Sequence, residues 1–489
     1  MNKRRILFEL GDSGRDEYLL LLQEELQKKM KHEPFFHAGP AGFDLATKKV
    51  QKENVITLDY ENQTKIKKPD LIYLQEAEKK YGFNIWDTWE ISAQRKKSRR
   101  KIDPEKILIW YEYIIKEFSY FVDKHRLTDY IFYGPASFAS VVIMKILEEK
   151  GIHLVELQAS PLRKRFGIAN SSSSRWPLLA RKYKQLKKEK IKDHAGELQQ
   201  YFEVYRKNDY VLDWTTTYQE SAISKYERYA KLLLRMIKYN HYLPSIRPLF
   251  WKAIEKWYDH RGLFEDPVPD EKFILFPLHF QPEATTLIYG KWYNNQLHLI
   301  ESLVRAIPAG YMLYVKEHSY GYGNRHLQFY KEVKKFQNVR LITPHVKSLD
   351  LIKRASLVVT ITGTVGWESL MLQKPVLIFG NVFYDIFDAA QKVGDISELP
   401  SLVQELLNAS IPLEETLRCL KALVESTYPG LARLPSDSNA YCLQKENMEL
   451  LAAGIVRYLQ ERDALDLEKP AVKKEMEAAL KASREDPQK

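Results

Sequence analysis

Cysteine is almost absent: Cys419 and Cys442 are the only two in a chain of 489 residues. That excludes a disulfide framework, and the pair lacks metal-ligand spacing, so a reducing compartment is expected and neither thiol reads as a nucleophile. No segment reaches the ~20 consecutive apolar residues of a membrane-spanning helix. The basic start at residues 1–5 is followed by an apolar run that Glu9 breaks and Gly11-Asp12-Ser13-Gly14-Arg15 stops, which reads as strand, loop and helix rather than as a secretion signal. Missing too are the G-x-x-x-x-G-K-S/T loop of a P-loop kinase, the G-x-G-x-x-G fingerprint of a dinucleotide site and the G-x-S-x-G elbow of a hydrolase. The chain has no D-x-D triplet, so no metal bridging two phosphates is expected. The expected location is the cytoplasm, with peripheral contact to the inner face of the membrane left open.

What is present describes a large globular protein. Its length exceeds what one hydrophobic core usually supports, so two domains are expected. A hydrophobic share of 45% against a charged share of 28% excludes the disordered class for most of the chain. The net charge of +11, from 75 Lys and Arg against 64 Asp and Glu, favours phosphate-bearing partners or an anionic membrane surface without choosing between them. No nucleic-acid module accompanies that charge, and no nucleic-acid partner is expected.

Residues 5–10 form a short apolar run, and 16–30 space Leu19, Leu22 and Leu26 as a helix does, giving a strand-to-helix unit. Compact apolar runs at 71–74 and 130–133 predict further strands. The second passes through Gly134-Pro135 into a helix over 138–150, which Gly151 closes before a strand at 152–157. Strands alternating with helices imply a parallel sheet covered on both faces, here a first domain over 1–177. Residues 178–263, rich in Lys, Tyr and Leu, predict a helical insertion and connection with helices at 181–192 and 226–239. Its basic, aromatic surface suits either an anionic membrane or plain solvent. After a proline-containing linker at 264–271, strand signals return at 273–276, 311–315, 339–342, 357–361 and 376–379, a second Rossmann-like domain over 264–445. Helices at 413–425 and 446–461 follow, and 446–489 is read as a C-terminal helix and charged tail.

Three loops of the second domain carry chemistry. A strand ending in Thr360-Ile361-Thr362-Gly363-Thr364-Val365-Gly366 runs into a helix beginning Trp367-Glu368. Gly363 and Gly366 let backbone approach a phosphate, Thr362 and Thr364 add hydroxyls, and Glu368 could accept from ribose hydroxyls, or the glycines could simply make a tight turn. Lys316, His318 and Arg325 follow another strand, where they could neutralise a departing nucleotide phosphate or form ordinary surface ion pairs. The third loop, Pro277 to Glu283, places His279, Gln281 and Glu283 beside the same crevice, a set suited to sugar or base recognition.

The series Gln281-Pro282-Glu283, Val315-Lys316-Glu317-His318, Thr362-Gly363-Thr364-Val365-Gly366-Trp367-Glu368 and Lys374-Pro375-Val376 resembles the bacterial capsule polysaccharide biosynthesis family. The resemblance is specific over about 273–384. It implies the GT-B architecture, two Rossmann-like domains facing a cleft, and transfer of a sugar such as Kdo from a CMP donor to a capsule glycan or glycolipid acceptor. The nucleotide sugar is then a co-substrate, and no cofactor is expected. Ser319 follows His318 where the family commonly has proline, which leaves CMP, UDP and GDP open.

In such an enzyme the first domain presents the acceptor and a carboxylate that acts as base or nucleophile. Asp12, in the loop after the first strand, and Glu156, at the end of a later one, are the candidates, although either could cap a helix or pair with an arginine. Two other readings remain: a related nucleotide enzyme such as a sugar epimerase or CDP-alcohol phosphotransferase, and a non-catalytic capsule assembly or export partner.

Overall fold

The computed structural model describes residues 4–10, 15–95, 102–170, 173–191, 197–207, 262–318, 321, 325–433 and 440–465. Two sheets organise them. The first has seven strands: β1 (Arg4–Leu10), β2 (His32–Ala38), β3 (Val55–Ile56), β4 (Asp129–Phe132), β5 (His153–Ala159), β6 (Arg165–Ala169) and, from much later in the chain, β13 (Tyr428–Pro429). Their order is β13-β6-β5-β4-β1-β2-β3, parallel from β5 to β3 with β6 and β13 antiparallel at one edge. The second sheet is all parallel, with β7 (Phe273–Pro277), β8 (Met312–Lys316), β9 (Val339–Ile342), β10 (Leu357–Thr360), β11 (Val376–Ile378) and β12 (Ala390–Lys392) in the order β12-β11-β10-β7-β8-β9. The expected α/β class with two Rossmann-like domains is what folds.

Short apolar runs form these strands because both faces are covered. In β1, Ile6, Phe8 and Leu10 enter one core layer while Leu7 enters the other. In β8, Leu313 and Val315 face one layer and Tyr314 the opposite one. Strand order reverses between β1 and β4 in the first sheet and between β7 and β10 in the second. Such reversals are where doubly wound sheets bind ligands, outside the carboxyl ends of the strands.

The run at 71–74, expected as a strand, instead opens the helix Leu71–Tyr81. Asp70 caps it by accepting the Tyr73 N–H, Gly82 ends it in the left-handed region, and Leu74, Ala77 and Tyr81 form its buried stripe. Four apolar residues in a row carry no period, and the 3.6-residue stripe shows only when the window reaches Tyr81. The strands β2, β3, β6, β12 and β13 were not expected from the sequence. Pro34, Glu33 and His37 interrupt β2, and β13 is a two-residue edge strand whose pairing with β6 is purely tertiary.

The chain returns to its first sheet at Tyr428. Helix Lys445–Leu465 lies beside helix Arg15–Lys29, and Met448, Leu451, Ile455 and Leu459 complete the core layer under β1. Of the predicted insertion, helices Pro177–Leu186 and Glu197–Arg206 are described, packed with Leu413–Ser426. The helix expected at 226–239 lies outside the described residues, as does most of the surface read as basic and aromatic. Among the described residues no helix is long and apolar enough to cross a membrane.

Candidate active site

At the switch point of the second sheet, the loops after β7, β8 and β10 hold one another. Gln296 brackets the His279 backbone, accepting its N–H at 2.7 Å and donating to its carbonyl at 3.0 Å. The buried His279 ring crosses to the next loop, its Nε2 accepting the Ile361 N–H at 3.2 Å and facing Thr360 Oγ1 at 3.2 Å. Burial pushes this imidazole down to about 3, so it is a neutral pin between β7 and β10.

After β8 the organiser is Glu317, a residue that sequence reasoning quoted within a motif and gave no role. Its fully buried carboxylate accepts from Arg325 Nε at 2.9 Å, the Tyr330 hydroxyl at 2.7 Å and the His318 N–H at 2.6 Å. Arg325 also donates from Nη2 to the His279 carbonyl at 2.8 Å, so it braces two loops together. Lys316 is buried, and its Nζ lies 3.4 Å from the Glu317 carbonyl and 3.3 Å from that of Pro344; burial lowers its pKa. His318 stands at the mouth, half-buried, 6.3 Å from the Phe280 ring, with its pKa lowered first by burial. Gln281 donates to the Asn294 carbonyl at 2.6 Å, after which a cis peptide leads to Pro282 and the exposed Glu283.

The loop after β10 is compact. Gly363 N–H donates to Thr360 Oγ1 at 3.0 Å, and the Gly363 carbonyl accepts from Tyr384. A Cβ at Gly366 would lie 2.2 Å from the Tyr384 hydroxyl, so only glycine fits there. Thr362 Oγ1 is buried with no hydrogen-bond partner among the described residues. Glu368 is buried as well, met by the Thr364 hydroxyl at 3.3 Å, and burial pushes its carboxyl up to about 7. Helix Val365–Met371 is anchored by Trp367, whose indole N–H donates to the Tyr205 hydroxyl at 2.7 Å.

In the first sheet, Glu156 sits on β5 opposite Phe132 of β4 and is only 3% exposed. Gln158 Nε2 donates to its Oε1 at 2.8 Å, while burial pushes its carboxyl up to about 7. The Tyr289 hydroxyl reaches it from the other domain, 3.3 Å from each carboxylate oxygen. Around that contact Ile91 and Val141 pack on Leu287, and Lys291 pairs with Asp87 at 2.5 Å. The structure therefore brings Glu156 to the domain boundary, and gathers Gln281, Lys316, His318, Arg325, Thr362, Gly363, Thr364, Gly366 and Glu368 around the second switch point. Asp12 lies outside the described residues. Glu9, read only as a break in an apolar run, stands near the end of β1 and acts electrostatically on Glu156.

Two Rossmann-like domains joined beside their switch points, with a buried carboxyl in each, define an α/β protein of the GT-B kind. Residues 189–391 match the family model described as capsule polysaccharide biosynthesis protein, a stretch containing all four motifs. Among solved structures it is similar to the beta Kdo 2,7 transferase KpsC of Thermosulfurimonas dismutans, at 13% identity over 76% of this chain and 97% of that one, with a TM-score of 0.32. The S. aureus MnaA–UDP co-structure is similar at 12% identity over 96% and 99%, with a TM-score of 0.30. No curated protein matches.

Proposed function

We propose that the protein is a glycosyltransferase that seats a nucleotide-activated sugar at the second switch point and transfers the sugar to a hydroxyl of a capsule or surface glycan held by the first domain. The observation that carries this reading is Glu156: a buried carboxyl at the domain boundary, with a pKa near neutrality and facing the domain that bears the family's motifs. A group of that pKa can take the proton from an acceptor hydroxyl near pH 7. The acceptor oxygen then bonds to the anomeric carbon, and the sugar–phosphate bond breaks with its electron pair leaving on the nucleotide; attack by the carboxylate itself is the retaining variant.

His318, Thr362, Thr364 and Glu368 are assigned to the nucleotide, with Gln281 and Glu283 at its edge. Lys316 and Arg325 act through the loops that they brace, and Gly363 and Gly366 through the backbone that they admit. The family resemblance favours an acidic sugar such as Kdo on CMP, and the net charge of +11 suits an anionic donor and a phosphate-linked acceptor.

Calorimetric titration with CMP, CDP, UDP and GDP, paired with a mass-spectrometric screen for sugar transfer, tests this. CMP is expected to bind, His318→Ala to weaken that binding, and Glu156→Gln to cut transfer by about 10²–10⁴-fold while leaving nucleotide affinity unchanged. Binding of CDP alone would favour a phosphotransferase, and absence of all nucleotide binding a non-catalytic assembly partner.

A further inference from the structure

Glu156 has a partner that no motif announced. The Tyr289 hydroxyl lies 3.3 Å from both of its oxygens, and it belongs to the opposite domain. Its backbone is wedged among the proposed donor loops. Asn381 N–H donates to the Tyr289 carbonyl at 2.8 Å. A Cβ on the adjoining Gly290 would lie 2.4 Å from the Ile361 side chain, and one on Gly380 would lie 2.5 Å from Thr362 and 2.8 Å from the Tyr289 carbonyl. The segment 289–290 therefore has no slack against the ends of β10 and β11.

We propose that Tyr289 is a positioning residue, through which the nucleotide-binding domain orients the Glu156 carboxylate and donates a hydrogen bond to its ionised form. The proposal rests on the reading of Glu156 as the reacting carboxyl. Its consequence is that the acid–base group is complete only when both domains are seated, so a first domain pulled away from the donor loops holds a carboxyl with weaker support for its charge. Phenol donation favours the ionised carboxylate and opposes the burial that raises it. Among the described residues, the following groups face the pair. On the carboxyl's side they are Gln158 of its own strand, which donates, and Glu9 of β1, whose charge opposes ionisation. On the phenol's side Ser174 hydrogen-bonds Tyr289, and Glu148 at the end of helix Phe138–Glu149 acts on it electrostatically.

Tyr289→Phe removes the donor and keeps the ring. Infrared titration of the protonated-carboxyl band, assigned to Glu156 by its loss in Glu156→Gln, is expected to show a midpoint about one pH unit higher in Tyr289→Phe than in wild type. The acidic limb of kcat/KM for transfer is expected to move by the same amount, with nucleotide affinity within about twofold. An unmoved infrared midpoint would overturn the proposal. That measurement needs no turnover, so a wild-type protein inert in every transfer assay would remove the transferase reading and still leave the Tyr289 contact to be decided.

Discussion

Burial, helped at Glu156 by the charge of Glu9, raises both Glu156 and Glu368 to about 7. Each folded-state value lies above the 4.5 of a free side chain, so the folded protein holds these protons more tightly than the unfolded chain does. The stability they contribute is full below about pH 4.5 and is lost as pH rises through about 7. Glu368→Gln cannot ionise and keeps an acceptor for the Thr364 hydroxyl. Its unfolding temperature without nucleotide is expected to match wild type at pH 4.5 and to exceed it by a few degrees at pH 8. Equal unfolding temperatures at both pH values would show that the site is wetter than its burial implies. Glu368 was legible in the sequence because it follows an apolar strand and a loop of glycine and threonine; Glu156 was legible as an acidic residue in an apolar run, although it lies within β5 and not at its end as expected. Glu317 and Tyr289 were not: a glutamate between lysine and histidine, or a tyrosine before glycine, has no local mark of whom it will meet.

Among the elements, the loop from Thr360 to Gly366 depends most on one side chain from elsewhere. Tyr384 is buried against it, donates to the Gly363 carbonyl and fills the space where a Gly366 side chain would stand. Gly366→Ala must push the phenol aside, and overpacking of this kind costs about 1–3 kcal/mol. Denaturant unfolding of this variant is expected to show that loss, with weaker nucleotide binding because the loop moves with the ring. An alanine variant as stable as wild type and binding nucleotide equally would mean that Tyr384 yields without cost. The helix Leu71–Tyr81 shows where element reading fails. Its first two residues, Leu71 and Ile72, are 55% and 72% exposed, so the apolar run that suggested a buried strand sits mostly in solvent, and burial begins only at Leu74.

At the scale of the molecule, the two ends of the described chain close on each other. Asp129, at the start of β4, is wholly buried and accepts from Arg4 at 2.8 Å and from Arg462 at 3.1 Å. Arg462 comes from the last described helix and is itself only 3% exposed. Arg462→Met would leave Asp129 short of one of its two cations in a dry site, a change expected to cost about 3 kcal/mol. Denaturant unfolding measures this, and the double variant Arg462→Met/Asp129→Asn is expected to recover part of the loss. A single variant within about 0.5 kcal/mol of wild type would mean that Arg4 alone balances the charge. Four of the five strands expected in the second domain begin on the residue named and the fifth one residue later, because parallel strands covered on both faces must be continuous apolar runs, and that requirement is local. The motif loops were legible for the same reason, since glycine, threonine and proline mark the ends of such runs. What only the tertiary structure decided is which groups become partners. The return of residues 428–465 to the first sheet, the bracing of the loops after β7, β8 and β10 through Arg325 and His279, and the meeting of Glu156 with Tyr289 all join residues far apart in the chain. Such contacts form only when long loops close and apolar faces are buried together, and those energies belong to pairs of distant segments, which no local spacing encodes.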